Sequence, residues 1–176
     1  MKIATFNINN INKRLANLLR WLERERPEVV CLQGLKTEQH GFPASALRSA
    51  GYEAVWVGER SWNSVAILAR EQMPILTRSE LPVTRHARYL EAAVRGVLIV
   101  CIYLPNGNPQ PGPKFAYKLA WFQRLILHAN DLVTAGVPIA MAGDYNVLPT
   151  PQEIYPAGSL DKKDTVTVKS ISAAKS

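Results

Sequence analysis

Apolar and polar residues alternate through "KIATFNI", which predicts a short strand with Ile3, Thr5 and Asn7 on one face and Ala4, Phe6 and Ile8 on the other. The period then lengthens. Ile11, Leu15, Leu18, Leu19 and Leu22 recur at helical spacing, with Asn10 placed to cap the start and Pro27 just past the end. "EVVCL" is an apolar run of strand length. "FPASALRSAG" predicts a short helix closed by Gly51, and "YEAVWVG" with "NSVAILAR" predicts two paired strands. "YLEAAV" and "VLIVCIYL" read as a hairpin turned at Arg95-Gly96, followed by the turn-dense loop "PNGNPQPGP". From Lys114 to Leu132 the pattern is helical again, with Phe115, Leu119, Phe122 and Ile126 as the apolar stripe. "VPIAMA" is a buried strand that runs into "GDYN". This order of elements predicts a mixed α/β sandwich with a β-rich middle, without internal repeat or linker. Residues 161–176 carry no aromatic residue and, after Val168, only Ile171 as a large apolar group. They predict a loose tail, in which "TVTVKSIS" alternates well enough for one edge strand.

At 176 residues and 47% hydrophobic composition the chain is expected to form one domain with a real core. Its formal charge of +7 changes the picture more, because a basic surplus favours phosphate-rich partners. Cys31 and Cys101 lie inside apolar strand-like runs and read as core residues of a reduced, intracellular protein. The opening "MKIATFNINNIN" lacks the apolar core of a signal peptide, and no run approaches the roughly 20 apolar residues that cross a bilayer. A cytoplasmic protein with no membrane partner is the expectation.

Candidate chemistry gathers at strand ends. Asp144 and Asn146 follow the last buried strand, where α/β proteins build their sites, and two oxygen-bearing side chains suit a hard cation or a positioned water. The same tripeptide, taken alone, more often marks an Asx turn. Asn7 is a polar amide at the end of an apolar strand and needs a partner if buried. Tyr103 ends "VLIVCIYL" beside the Pro/Gly/Asn loop, so its phenol is placed either to reach a phosphate or to stand as a core tyrosine with a wet hydroxyl. Lys114, Lys118 and Arg124 share one helix and read as a solvated face or a phosphate track. His40, His86 and His128 have no partner placed by sequence and are assigned to the surface. In "VVCLQGLK" the second strand exits at Gly34, where a metal-binding acid would be useful and no side chain exists.

In their order and spacing, "KIATFNIN", "RPEVVCLQGLK", "WNSVAILAR", "ARYLEAAV", "IYLPNGN", "PKFAYKLAWFQRL" and "PIAMAGDYNVLPTPQEIYP" resemble the exodeoxyribonuclease III family of the endonuclease/exonuclease/phosphatase superfamily. The resemblance runs from Met1 to Leu160. It implies a four-layer α/β sandwich, present here as an incomplete one: residues 1–160 are its N-terminal portion and 161–176 an unrelated tail. It also implies a magnesium-dependent phosphodiesterase, with manganese as a substitute, acting on double-stranded DNA at abasic sites and 3' ends in base-excision repair. By the same resemblance Asn7 matches a metal-site asparagine and Tyr103 the active-site tyrosine. Asp144 matches the acid that prepares the attacking water, Asn146 its neighbouring ligand or phosphate contact, and Lys114 a DNA-contacting lysine, with Arg88 and Lys118 as further basic groups for the duplex backbone.

Two departures qualify the implied activity. Position 34 is a metal-ligating glutamate in the family pattern and is Gly34 here, which implies a weakened cation site unless Glu38, four residues on, takes the role. The family also continues into further strands and a Ser-Asp-His segment, whereas no histidine follows His128. The expectation is therefore a truncated, impaired copy of a usually monomeric nuclease, with exposed apolar surface and a tendency to aggregate. The alternative is a non-catalytic DNA-binding remnant. A lipid-phosphate esterase of the same superfamily agrees less well with "YLPNGN", Lys114 and the basic charge.

Overall fold

The computed structural model describes residues 1–60, 63–78 and 86–147. In chain order the elements are β1 (Ile3–Asn7), α1 (Ile11–Glu25), β2 (Val29–Gln33), a 3₁₀ turn (Gln39–Gly41), α2 (Ala44–Ser49), β3 (Tyr52–Val57), β4 (Val65–Arg70), β5 (Ile75–Arg78), β6 (Tyr89–Val94), β7 (Val97–Tyr103), α3 (Pro113–Thr134) and β8 (Ile139–Asp144). The strands form two four-stranded sheets, in the orders β1-β2-β4-β3 and β5-β6-β7-β8. Each sheet holds one parallel pair, β1 with β2 and β7 with β8, joined by the crossover helices α1 and α3.

Four layers follow from which face each residue occupies. Val30, Leu32, Ala66 and Leu68 point outward from the first sheet onto Leu18 and Leu22 of α1 and Leu47 of α2. Val29, Cys31, Val65 and Ile67 point the other way, onto Leu90, Ala92, Ile99 and Cys101 of the second sheet. On that sheet's far side Tyr89, Val100 and Ile102 meet Trp121 and Leu125 of α3. A strand covered on both faces has no polar side to present, which is why β2 reads as an unbroken apolar run. Both cysteines are free and buried between the sheets.

Local signals behave as expected at several points. The Asn10 side chain accepts the Lys13 N–H at 3.0 Å and caps α1. Arg95 and Gly96 both take positive φ, +50° and +78°, which is the demand of a two-residue turn matched to strand twist.

Three expectations are corrected. The buried stripe of α3 is Lys118, Trp121 and Leu125, while Leu119 and Ile126 of the expected stripe are 46% and 47% exposed. The strand before "GDYN" is only half-buried throughout, because β8 ends its sheet and has β7 as its single neighbour among the described residues. His128 is not a surface residue: its Nε2 and the Tyr89 hydroxyl both meet Oε1 of the buried Glu91. β5 was not foreseen; all four of its residues are exposed and carry no periodic pattern. The "TVTVKSIS" tail and the boundary near residue 160 lie outside the described residues.

Candidate active site

Alternation along β1 puts Thr5 and Asn7 on the face between the sheets, where Thr5 Oγ1 accepts the Gln33 Nε2 hydrogen bond at 3.0 Å. One pleat further on, Asn7 reaches across to the other sheet. Its Nδ2 donates to Asp144 Oδ2 at 3.0 Å, joining the C-terminal ends of β1 and β8. Asn7 Oδ1 accepts the Asn9 N–H at 3.1 Å.

Asp144 is in register with Tyr103 across the parallel β7/β8 pair. Its Oδ1 accepts the Asn146 N–H at 2.9 Å, so the Asx turn is present and coexists with the Asn7 contact. Asn146, with φ +48°, donates from Nδ2 to the Leu104 carbonyl at 2.7 Å. Arg88 lies over the Tyr103 ring, 5.1 Å from its centroid, and donates from NH1 to the Tyr103 carbonyl at 3.1 Å. Burial pushes the Arg88 guanidinium down, opposed by Tyr103, Tyr117, Glu59 and Asp144; a guanidinium stays charged there.

The candidate residues thus divide. Asn7, Tyr103, Asp144, Asn146 and Arg88 come together at one end of the sandwich. Lys114 is exposed at the start of α3. Lys118 is buried, with Nζ on the carbonyls of Asn106 at 3.1 Å and Asn146 at 2.6 Å, and so is no part of a solvated face. The Glu38 carboxylate pairs with His40 and with Arg60, each at 3.6 Å. That His86 has an acidic neighbour, Glu59, at 3.2 Å was not visible in the sequence, which shows only its basic flanks.

Glu59 also accepts N–H groups from Ala87 at 3.1 Å and Asn63 at 3.0 Å, which moors the start of the Arg88 segment. Burial pushes its carboxyl up, but the Asn63, Ala87 and His86 partners together outweigh this and hold it below the usual carboxylate range. A depressed folded value means that the stabilisation is complete above the unfolded value and lost as pH falls through the folded one. Glu59→Gln is expected to lower the melting temperature at neutral pH, and that deficit should fade as pH drops below about 4.3, the ordinary glutamate value. A deficit constant with pH would exclude the charge as its source.

Residues 4–169 match the Endonuclease/Exonuclease/phosphatase family. The chain belongs to that family. Among its relatives, Exodeoxyribonuclease III of Haemophilus influenzae is 25% identical over 161 residues, covering 88% of this chain and 60% of its own length. An AP endonuclease from Archaeoglobus fulgidus superimposes with a TM-score of 0.82 at 30% identity, over 88% of this chain and 61% of that one. A 3' phosphatase from Neisseria bound to product DNA hairpin gives 0.79 at 34% identity, over 86% and 60%. The chain therefore spans about three fifths of the length of these relatives. No helix among the described residues is long and apolar enough to cross a membrane.

Whether the donor set suits the divalent cation expected of an exodeoxyribonuclease III type site is a question of oxygens. Such a cation takes about six, one or two of them from carboxylates free to turn toward it and the rest from water or phosphate. Here Asp144 offers both oxygens to N–H groups already, the Asn7 oxygen accepts Asn9, and Gly34 offers nothing. Among the described residues no three His, Cys, Asp or Glu side chains gather as a metal cluster. Gly34 holds φ +65°, and a Cβ there would stand 2.5 Å from Asn7 Oδ1, so the asparagine amide lies against the bare backbone. Among the described residues, the donors gathered at these strand ends do not make a site for a resident divalent cation.

Proposed function

We propose that this chain is a DNA-phosphodiester-binding member of the family, descended from exodeoxyribonuclease III and abasic-site endonucleases, whose hydrolytic step is impaired. The observation that carries the reading is the Asn7–Asp144 contact at 3.0 Å, closed over a glycine. It joins Asn7 and Asp144, the residues that the resemblance marks for the site, and holds the Asp144 carboxylate in internal hydrogen bonds. Arg88 on Tyr103, the exposed Lys114 and the net charge of +7 supply attraction for duplex backbone. Asp144 remains the group placed to take a proton from water, while Asn7 and Asn146 orient its oxygens.

The relatives support DNA as the partner, since one is an AP endonuclease and another is bound to a DNA hairpin. The test is a duplex carrying one abasic site, assayed for binding across salt and for incision with Mg²⁺, with Mn²⁺ and with EDTA. Binding that weakens steeply with salt, together with incision near background, is expected. Rapid EDTA-sensitive incision would overturn the impairment, and absence of salt-sensitive binding would overturn the DNA assignment.

A further inference from the structure

Two loops carry the candidate site: residues 104–108 after Tyr103, and residues 144–147 at the end of β8. They are stitched together by the Leu104 N–H on the Asp144 carbonyl at 2.8 Å and by Asn146 Nδ2 on the Leu104 carbonyl at 2.7 Å. Lys118 reaches both from below. Its ammonium donates to the Asn106 carbonyl in one loop and to the Asn146 carbonyl in the other. A lysine that is 4% exposed is uncommon, since its charge is costly to bury without partners. Burial pushes its ammonium down, and the nearby Asp144 charge opposes this.

The loop itself is shaped around this side chain. Gly107 has φ +83°, and a Cβ there would lie 2.6 Å from Lys118 Cδ. The lysine stem therefore fills the space that any larger residue at 107 would need. Asn106 Oδ1 then accepts the Asn108 N–H at 3.0 Å, closing the turn over it.

We propose that Lys118 is a positioning residue: it ties the loop after Tyr103 to the loop after Asp144 and sets their spacing, without touching DNA itself. The proposal rests on the DNA-binding reading above for its functional consequence, and on the loop contacts alone for its structural one. It separates Lys118 from Lys114, which is exposed and free of that constraint on burial.

The test replaces Lys118 by methionine, which keeps much of the stem and removes the donors, and follows single amides by NMR. Exchange at the Leu104, Asn108 and Asn146 amides is expected to rise by at least about tenfold, with amides of β2 and β4 unchanged. The side-chain amide resonance of Asn146 should move as its bond to Leu104 loosens. Duplex affinity should fall by about tenfold, while the slope of log affinity against log salt stays the same, because no phosphate contact is lost. A slope reduced by about one, with the loop amides unchanged, would make Lys118 a phosphate contact and overturn the proposal. Exchange that quickens equally in every strand would reduce it to general stability, which also overturns it. If the unsubstituted chain binds no duplex at any salt, the DNA reading fails, and the exchange pattern still decides whether Lys118 holds the loops.

Discussion

Gly34→Glu is expected to create EDTA-sensitive incision of an abasic duplex at least about a hundredfold above the unsubstituted chain, since even outer partners of a metal site are worth 10–100-fold. The reason is geometric as well as electrostatic. Position 34 follows β2 directly, and its N–H and C=O are held by Ser64 at 3.0 Å and Asn10 at 2.9 Å, so a side chain there has a fixed origin. Its Cβ would take the place of Asn7 Oδ1, pushing the amide away from Asp144. One substitution therefore adds a carboxylate and frees Oδ2 of a second one, Asp144, whose Oδ1 keeps the Asn146 N–H. It also costs stability. An L side chain at φ +65° is strained by about 1–2 kcal/mol, which for a chain of this length lowers the melting temperature by several degrees. Gly34→Ala carries the same strain without the carboxylate and should melt early with no gain in incision. Mn²⁺ binding by electron paramagnetic resonance gives a second readout, expected to tighten for the glutamate variant alone. If glutamate and alanine variants are equally silent by both measures, Gly34 is not the lesion.

Much of this arrangement was legible where chemistry is local. Asn10 before an amphipathic run, and Arg95-Gly96 between two apolar runs, each satisfy a backbone demand set by neighbours in sequence, and both hold in the structure. Alternation in β1 placed Asn7 with Thr5, and that face turned out to be the one between the sheets. What alternation cannot encode is the partner: the Asn7–Asp144 contact spans 137 residues and depends on how two sheets stack. The solvated-face reading of Lys118 fails for the same reason. A lysine among aromatic and aliphatic residues on a helix looks solvated, and it takes the two loop carbonyls facing it, with the Asp144 charge nearby, to make burial tolerable. His128 looked solvated until β6 brought Glu91 beneath α3. β5 was invisible because an exposed edge strand of four residues has no buried face to impose a period.

The helix α3 supplies the sharpest test of the corrected core. Trp121→Ala is expected to cost about 3–5 kcal/mol in urea or thermal unfolding, the range for deleting a large buried aromatic side chain. Ile126→Ala should cost under about 1 kcal/mol, as surface changes do. The sequence pattern argues the opposite ranking, since Ile126 lies on the stripe Phe115, Leu119, Phe122, Ile126 that a helical period selects. The structure decides by burial: Trp121 is fully covered by Tyr89, Val100 and Ile102 of the second sheet, whereas Ile126 is 47% exposed. Trp121→Phe sharpens the contrast. The indole N–H is buried and finds no hydrogen-bond partner among the described residues, so the tryptophan already bears a desolvation cost that phenylalanine would not. Removing that N–H offsets part of the area lost, and the phenylalanine variant should stay within about 1.5 kcal/mol of the parent, the range of a tolerated core swap. If Trp121→Ala and Ile126→Ala prove equally costly, the face of α3 that packs on the second sheet has been assigned wrongly, and with it the burial of Lys118 that the loop geometry requires.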